Sequence, residues 1–153
     1  HNLMTLPWIA TNELQGPRVW EYREALRGAG HAVEKSDIFV MYPIYVGADD
    51  AQARAEVIEH WHRWRGFALE ALGLVLPQDE NYQRVFNHLA YDTMARDSRG
   101  IFGGPDTCAR ILRTIIEVVG VTHIGLTFHF GGLSQDKVLK SMERFARQVR
   151  PTL

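Results

Sequence analysis

Several places in the 153-residue sequence hold side chains or backbone able to do chemistry. The first is His129, near the end of the apolar run 121–130 (VTHIGLTFHF). Side chains alternate faces along a strand. Ile124, Leu126, Phe128 and Phe130 therefore form one set, and His123, Gly125, Thr127 and His129 the other. An imidazole at a strand end can hydrogen-bond a ligand or hold a proton near neutral pH. It can equally be a structural histidine bonded to a neighbouring strand. Gly131-Gly132 follows at once. Two glycines let backbone approach a ligand at a helix N-terminus, and they also suit a plain strand-to-helix turn. Gly103-Gly104-Pro105 has the same two readings.

Other clusters point away from catalysis. His60 and His62 are two apart on a helix, so they diverge and are poorly placed to share a metal. They read as solvent-facing residues beside two buried tryptophans, Trp61 and Trp64. Arg63 and Arg65 beside those rings resemble a nucleic-acid patch. The net charge of −1 favours a solvated helix face instead. Cys108, the single cysteine, excludes an internal disulfide framework and a cysteine-based zinc site, and it falls on an apolar stripe as a buried, inert thiol. No metal is expected. Asp49-Asp50 reads as helix-start charge. No GxGxxG dinucleotide fingerprint is present.

The elements that must position these residues alternate strand and helix. A short apolar run covers 2–7, and a polar loop surrounds 15–17. A helix follows over 19–27, with Val19, Tyr22 and Leu26 on one face and Gly28 and Gly30 as stop signals. The clearest early strand is 37–47 (DIFVMYPIYVG). Its nearly continuous apolar character fits a parallel strand covered on both faces, although Pro43 cannot donate in a ladder. The helix opened by Asp49-Asp50 carries Val57, Trp61, Trp64, Ala68 and Leu72 at helical spacing. The pattern weakens over 73–102. There Tyr82, Phe86, Tyr91 and Met94 could supply an apolar cover, as a variable insertion or lid. A helix starts at Gly103-Gly104-Pro105-Asp106 and buries Cys108, Ile111, Leu112, Ile115, Ile116 and Val119. Ser134 caps a last helix with Val138, Leu139, Met142, Phe145, Ala146 and Val149 inward.

Three strands alternating with helices predict an α/β fold with a parallel sheet. Three such strands leave open edges, and a closed (β/α) barrel usually needs ~250 residues, so the expected architecture is a partial TIM-like barrel. Hydrophobic residues make up 46% and charged residues 23%, an ordinary globular balance with no footprint for nucleic acid or an anionic membrane. No apolar run approaches the ~20 residues of a membrane span and no signal peptide opens the sequence, so a cytoplasmic setting is expected. The first residue is His1, not Met, which points to processing or to a piece of a longer chain.

Four stretches carry a family resemblance: FGGPDTC at 102–108, EVVGVTHI at 117–124, GLTFHFGGL at 125–133 and KVLKSMERFAR at 137–147. Together they resemble the C-terminal end of the luciferase-like flavin-dependent monooxygenases. NLMT at 2–5, YREAL at 22–26 with AGH at 29–31, and YVGADD at 45–50 resemble that family's sixth and seventh strands and adjoining helices. The likeness is strong at the C-terminal end and weak over 73–94. It implies that residues 1–153 form a single incomplete domain, about the last three strand–helix units of the luciferase-like barrel. The family's first five strands, which carry most flavin contacts, have no counterpart.

The resemblance also implies oxygen activation with reduced FMN, usually supplied by a separate flavin reductase, acting on a small organic substrate. Relatives use a deazaflavin. Thr5, Tyr45, His129, Phe130, Gly131 and Gly132 would then line the cofactor or substrate pocket, with His129 the candidate for a catalytic role. A noncatalytic part-barrel that self-associates as a homo-oligomer, or docks to the missing N-terminal part of a barrel, is the other reading.

Overall fold

Among the described residues Ile38–Val46 is the longest strand, and every other strand there is aligned on it. The computed structural model describes residues 2–5, 11–73, 84 and 87–153. Within them the order is β1 (Leu3–Thr5), α1 (Asn12–Gly28), β2 (Ile38–Val46), α2 (Asp50–Gly73), α3 (Tyr91–Arg96), β3 (Ile101–Gly103), α4 (Pro105–Val119), β4 (His123–Thr127) and α5 (Gln135–Arg144). A π-helical turn, Phe145–Val149, and a 3-10 turn, Arg150–Thr152, follow. β1, β3 and β4 all pair with β2, and all run parallel to it. The result is an α/β fold with a four-stranded parallel sheet flanked by helices, an unclosed TIM-like barrel.

The edges of β2 can be told apart by parity, because successive backbone groups of a strand point to opposite sides. Odd residues face one edge. Asp37 C=O accepts from Leu3 N–H there, and Gly47 N–H donates to Gly103 C=O. β1 and β3 therefore lie one beyond the other along the same edge. Even residues face the second edge, where Ile38 C=O accepts from Thr122 N–H at the start of β4. β4 pairs with β2 as far as Pro43. Beyond it, α5 takes over: Val46 N–H donates to Ser141 Oγ (2.8 Å), and Val46 C=O accepts from Arg144 (3.3 Å). Pro43 is odd and falls between Val40, the last residue paired to β1, and Ile44, the first paired to β3. Its missing N–H is thus at a seam, which is how a proline is accommodated mid-strand.

The same parity sorts side chains into two cores. Ile38, Val40, Tyr42, Ile44 and Val46 face Val19 of α1 and Cys108, Ile111, Leu112, Ile115 and Val119 of α4. Tyr45 faces the opposite way, onto Ala53, Val57, Trp61 and Leu69 of α2 and Tyr91 and Met94 of α3. This second side is the inner face in a (β/α) barrel, and α2 covers its C-terminal end.

Several expected boundaries shift. The segment 15–17 is helical, because α1 begins at Asn12 and includes Pro17. β3 adds a strand that the periodicity does not show, since three residues carry no pattern. The strand expected over 121–130 narrows to His123–Thr127. Ile116 is 40% exposed, and Trp64 and Ala68 are only half-buried. Tyr82 and Phe86 lie outside the described residues, as does the Leu72 side chain.

In the last helix Leu139 and Met142 are 54% and 45% exposed, and Ala146 is exposed too. The buried position there is Ser141, turned in to serve Val46. The π turn then shifts the phase so that Val149 enters the core. Ser134 occupies the N-cap position without a side-chain capping hydrogen bond. Removing the hydroxyl in Ser141→Ala leaves the buried Val46 N–H without its acceptor. This should cost about 1–3 kcal/mol, read as a lower urea midpoint.

Candidate functional site

Parallel strands place all their C-terminal ends on one side, where the pockets of (β/α) barrels form. On the inner face at that end, Met41 and Pro43 of β2 with Tyr42 between them, Thr127 of β4, Phe130, and Trp61 and Trp64 of α2 line a cleft, the Tyr42 side chain itself facing the other core. Its space is about 300 Å³ including the open mouth. Trp61 is fixed by its surroundings. Its indole N–H donates to Leu89 C=O at 2.8 Å, and its ring meets Phe102 and the edge of Phe130 with centroids 5.3 and 5.6 Å away. Trp64, one turn further along α2, stacks on it at 4.6 Å and 26°. The tryptophans stand out in the sequence, but nothing local says that α2 folds back over the strand ends.

The expected pocket residues have different fates. Phe130 lines the cleft. His129 is exposed on the loop after β4, at the strand's C-terminal end. Tyr45 lies on the inner face but is buried under α2, donating its hydroxyl to Glu56 at 2.7 Å. Burial, then the hydrogen bond and charge of Glu56, push that phenol above its ordinary range. Thr5 is in register with Val40, which faces α1 and α4, and its hydroxyl is 3.4 Å from Gln15 of α1. A residue in that register points away from the inner face, so Thr5 is not part of the cleft.

Gly131 and Gly132 make the turn from β4 to α5 with φ of +55° and +76°. α2 passes so close that a Cβ on Gly131 would collide with the His60 carbonyl. The Gly131 carbonyl accepts from His60 Nδ1 (3.0 Å) and Arg63 (3.2 Å). His60 is therefore half-buried and bonded, in contrast to the solvent-facing place expected for it. His62 is exposed. The turn serves as the anchor of α2 over the cleft.

The second glycine pair is also committed. Asp50 Oδ1 accepts from Gly104 N–H (2.7 Å), and Oδ2 accepts from Thr107 Oγ (2.9 Å). Asp49 accepts from Gln52 N–H at 2.7 Å, while Gln52 accepts from Ala48 N–H at 2.7 Å. Gly103 leaves room for this junction, since a Cβ there would lie 2.7 Å from Asp50 Oδ1. Asp49 thus caps α2, and Asp50 ties the start of α2 to the start of α4, taking up the Gly104 N–H and the Thr107 hydroxyl. Cys108 is buried in its expected place. Burial, then the charge of Asp50, push its thiol up to about 12. Among the described residues no group of three His, Cys, Asp or Glu side chains could hold a metal ion.

A flavin tests the cleft severely. The room inside is about 40 Å³ on the scale where one water takes ~10–15 Å³. That admits about three waters, and with the open mouth it seats a single ring. It does not enclose a tricyclic isoalloxazine while Trp61 and Trp64 stand where they do. The described residues offer one apolar wall that includes Thr127, and by themselves they do not hold a flavin.

Sequence searches match the alkanal monooxygenase alpha chain of Aliivibrio fischeri, 28% identical over 98% of this chain and 46% of that protein. The chain spans about half the length of the curated relatives it matches. No family model matches. Among solved structures, monooxygenase RslO1 from Streptomyces bottropensis superposes with a TM-score of 0.69 at 21% identity, over 99% of this chain and 41% of that one. The oxygenating constituent of 3,6-diketocamphane monooxygenase from Pseudomonas putida, solved with FMN, superposes with 0.59 at 16% identity, over 99% and 48%. The chain has the fold of the luciferase-like flavin monooxygenases, at low identity.

Two measurements check the site's construction. Gly131→Ala combines a left-handed backbone with a clash against α2 and should lower stability by about 2 kcal/mol or more. The alkaline limb of stability should fall early. An unfolded thiol ionises near pH ~8.5 and a phenol near ~10. In the native state Cys108, Tyr42 and Tyr45 hold their protons to higher pH. The unfolded state then binds fewer protons, so the stability these groups contribute is complete below about pH 8.5 and is lost as pH rises above it. Urea midpoints measured across pH 8–11, with Cys108 unreactive to thiol reagent at pH 8 until the protein unfolds, would show this.

Proposed function

We propose that this chain forms part of a luciferase-like monooxygenase that uses reduced flavin and O2 to oxidise a small organic substrate. The observation that carries the reading is an apolar cleft with one hydroxyl at the C-terminal strand ends, in a chain alignable over almost its whole length with an alkanal monooxygenase. Residues 1–153 are then one incomplete barrel domain. Residues 73–102 are an insertion whose described end, with Tyr91 and Met94, packs onto α2. FMN is the favoured flavin, in line with the diketocamphane enzyme, and a flavin reductase would supply it reduced.

In a completed barrel, reduced flavin would supply the electrons that activate O2, and this chain's residues would line one wall of the pocket. Met41, Pro43, Phe130 and the two tryptophans exclude water. Thr127 orients a polar atom of the ligand. His129, on the loop beyond β4, presents an exposed imidazole that can hydrogen-bond a polar atom of the ligand.

A second reading rests on the sheet edges. Among the described residues β1 and β4 pair only with β2, and Met4, Leu139 and Met142 are exposed. A part-barrel of this kind would dock to strands of another segment or another copy, without chemistry of its own.

The test is anaerobic titration of the purified protein with reduced FMN and, in parallel, a reduced deazaflavin, followed by mixing with O2 and assay of substrate oxidation. Saturable binding of reduced FMN is expected. His129→Ala should lower turnover at least about tenfold with an unchanged melting midpoint. Tighter binding of the deazaflavin would replace oxygen transfer by hydride transfer. Binding of neither would leave the docking reading.

A further inference from the structure

We propose that Trp64 is the residue that sets which ligands the inner-face cleft admits, limiting it to slender or single-ring apolar groups that carry one hydrogen-bonding oxygen. The proposal rests on reading this cleft as part of the substrate pocket and adds the class of ligand to it.

The cleft's lining is apolar apart from a few groups whose roles differ. The Tyr42 hydroxyl is spent on Asn12 Oδ1 at 2.8 Å, inside the other core. The Trp61 indole N–H is spent on Leu89 C=O at 2.8 Å. Thr127 brings a hydroxyl, able both to donate and to accept. A ligand matched to such a wall is uncharged, because burying a charge there would go uncompensated. It carries an oxygen near Thr127.

The width is set from α2. Trp61 is buried, hydrogen-bonded and packed against both Phe102 and Phe130, so it cannot give way without losing those contacts. Trp64 is half-buried and faces the cleft from one helical turn further along, with its ring stacked on Trp61. Truncating Trp64 removes one side of the cleft and leaves Trp61, the β2 wall and Thr127 in place. α2 itself keeps its anchors, since Tyr45–Glu56, Asp50–Gly104 and His60–Gly131 do not involve Trp64. Trp64 therefore changes the size of the site separately from its polarity, which Thr127 controls.

Phenol and 2-naphthol are the probes, one ring against two, each with one hydroxyl. Binding is followed in the protein without flavin, through the NMR signal of the Trp61 indole N–H. Wild type should bind phenol saturably, shift that signal, and bind 2-naphthol no better. In Trp64→Ala the preference should reverse by about tenfold toward 2-naphthol, the gain from burying a second ring. Thr127→Val should weaken phenol about fivefold and leave the size preference alone. If Trp64→Ala does not fold, Trp64→Leu gives the same comparison.

An unchanged phenol-to-naphthol ratio in the folded Trp64 variant overturns the proposal. So does binding that leaves the Trp61 signal unmoved. The flavin reading fails separately: phenol selectivity without reduced-FMN binding sinks that reading alone, and FMN binding without size selectivity sinks this one alone.

Discussion

Every described strand depends on the hydrogen-bonding capacity of β2. A strand has two edges, and buried backbone groups must be paired. β2 fills one edge with β1 and β3 in succession and the other with β4 and then two side chains of α5. Among the described residues nothing else brings the short strands into one sheet, and two of them are three residues long. The seam between β1 and β3 is where Pro43 falls, so the one residue unable to donate costs the ladder little.

The second constraint is the close approach of α2 to two glycine turns. Gly103 ends β3 and Gly131 lies in the turn after β4, yet each leaves space that α2 or its leading residues fill. The polar groups at both contacts are matched: Asp50 to Gly104 and Thr107, His60 and Arg63 to the Gly131 carbonyl. These contacts hold a 24-residue helix over the strand ends and bring its tryptophans to the cleft. Buried Arg99 adds to the same side of the fold by donating to His88 C=O at 2.7 Å, next to the Leu89 carbonyl that Trp61 holds.

Much of this frame was legible in the residues. The apolar run of β2, the helix start at Pro105, the stop at Gly120 and the alternation of β4 all follow local physics. Gly120 has the left-handed conformation (φ 68°) expected of a residue ending a helix. The partial-barrel architecture followed from strand and helix alternation together with chain length. The site was less legible, because its defining facts are tertiary. Nothing near Thr5 reveals a register that turns it toward α1. The buried Asn12 bridges Tyr42 and the Ser98 carbonyl across most of the chain, with no local pattern to announce it. Ser141 broke the expected helix stripe because the end of β2 needed an acceptor.

The sheet also has a genetic consequence. β2 presents one set of side chains to α1 and α4 and the other to α2 and α3, so it partitions the interior into two compartments joined mainly by backbone. Changes in separate compartments, without shared partners, tend to act independently. A repacked α2 compartment could therefore accumulate substitutions that alter the cleft while the compartment beneath α4 carries the fold. Epistasis would be strong within each compartment and weak between them.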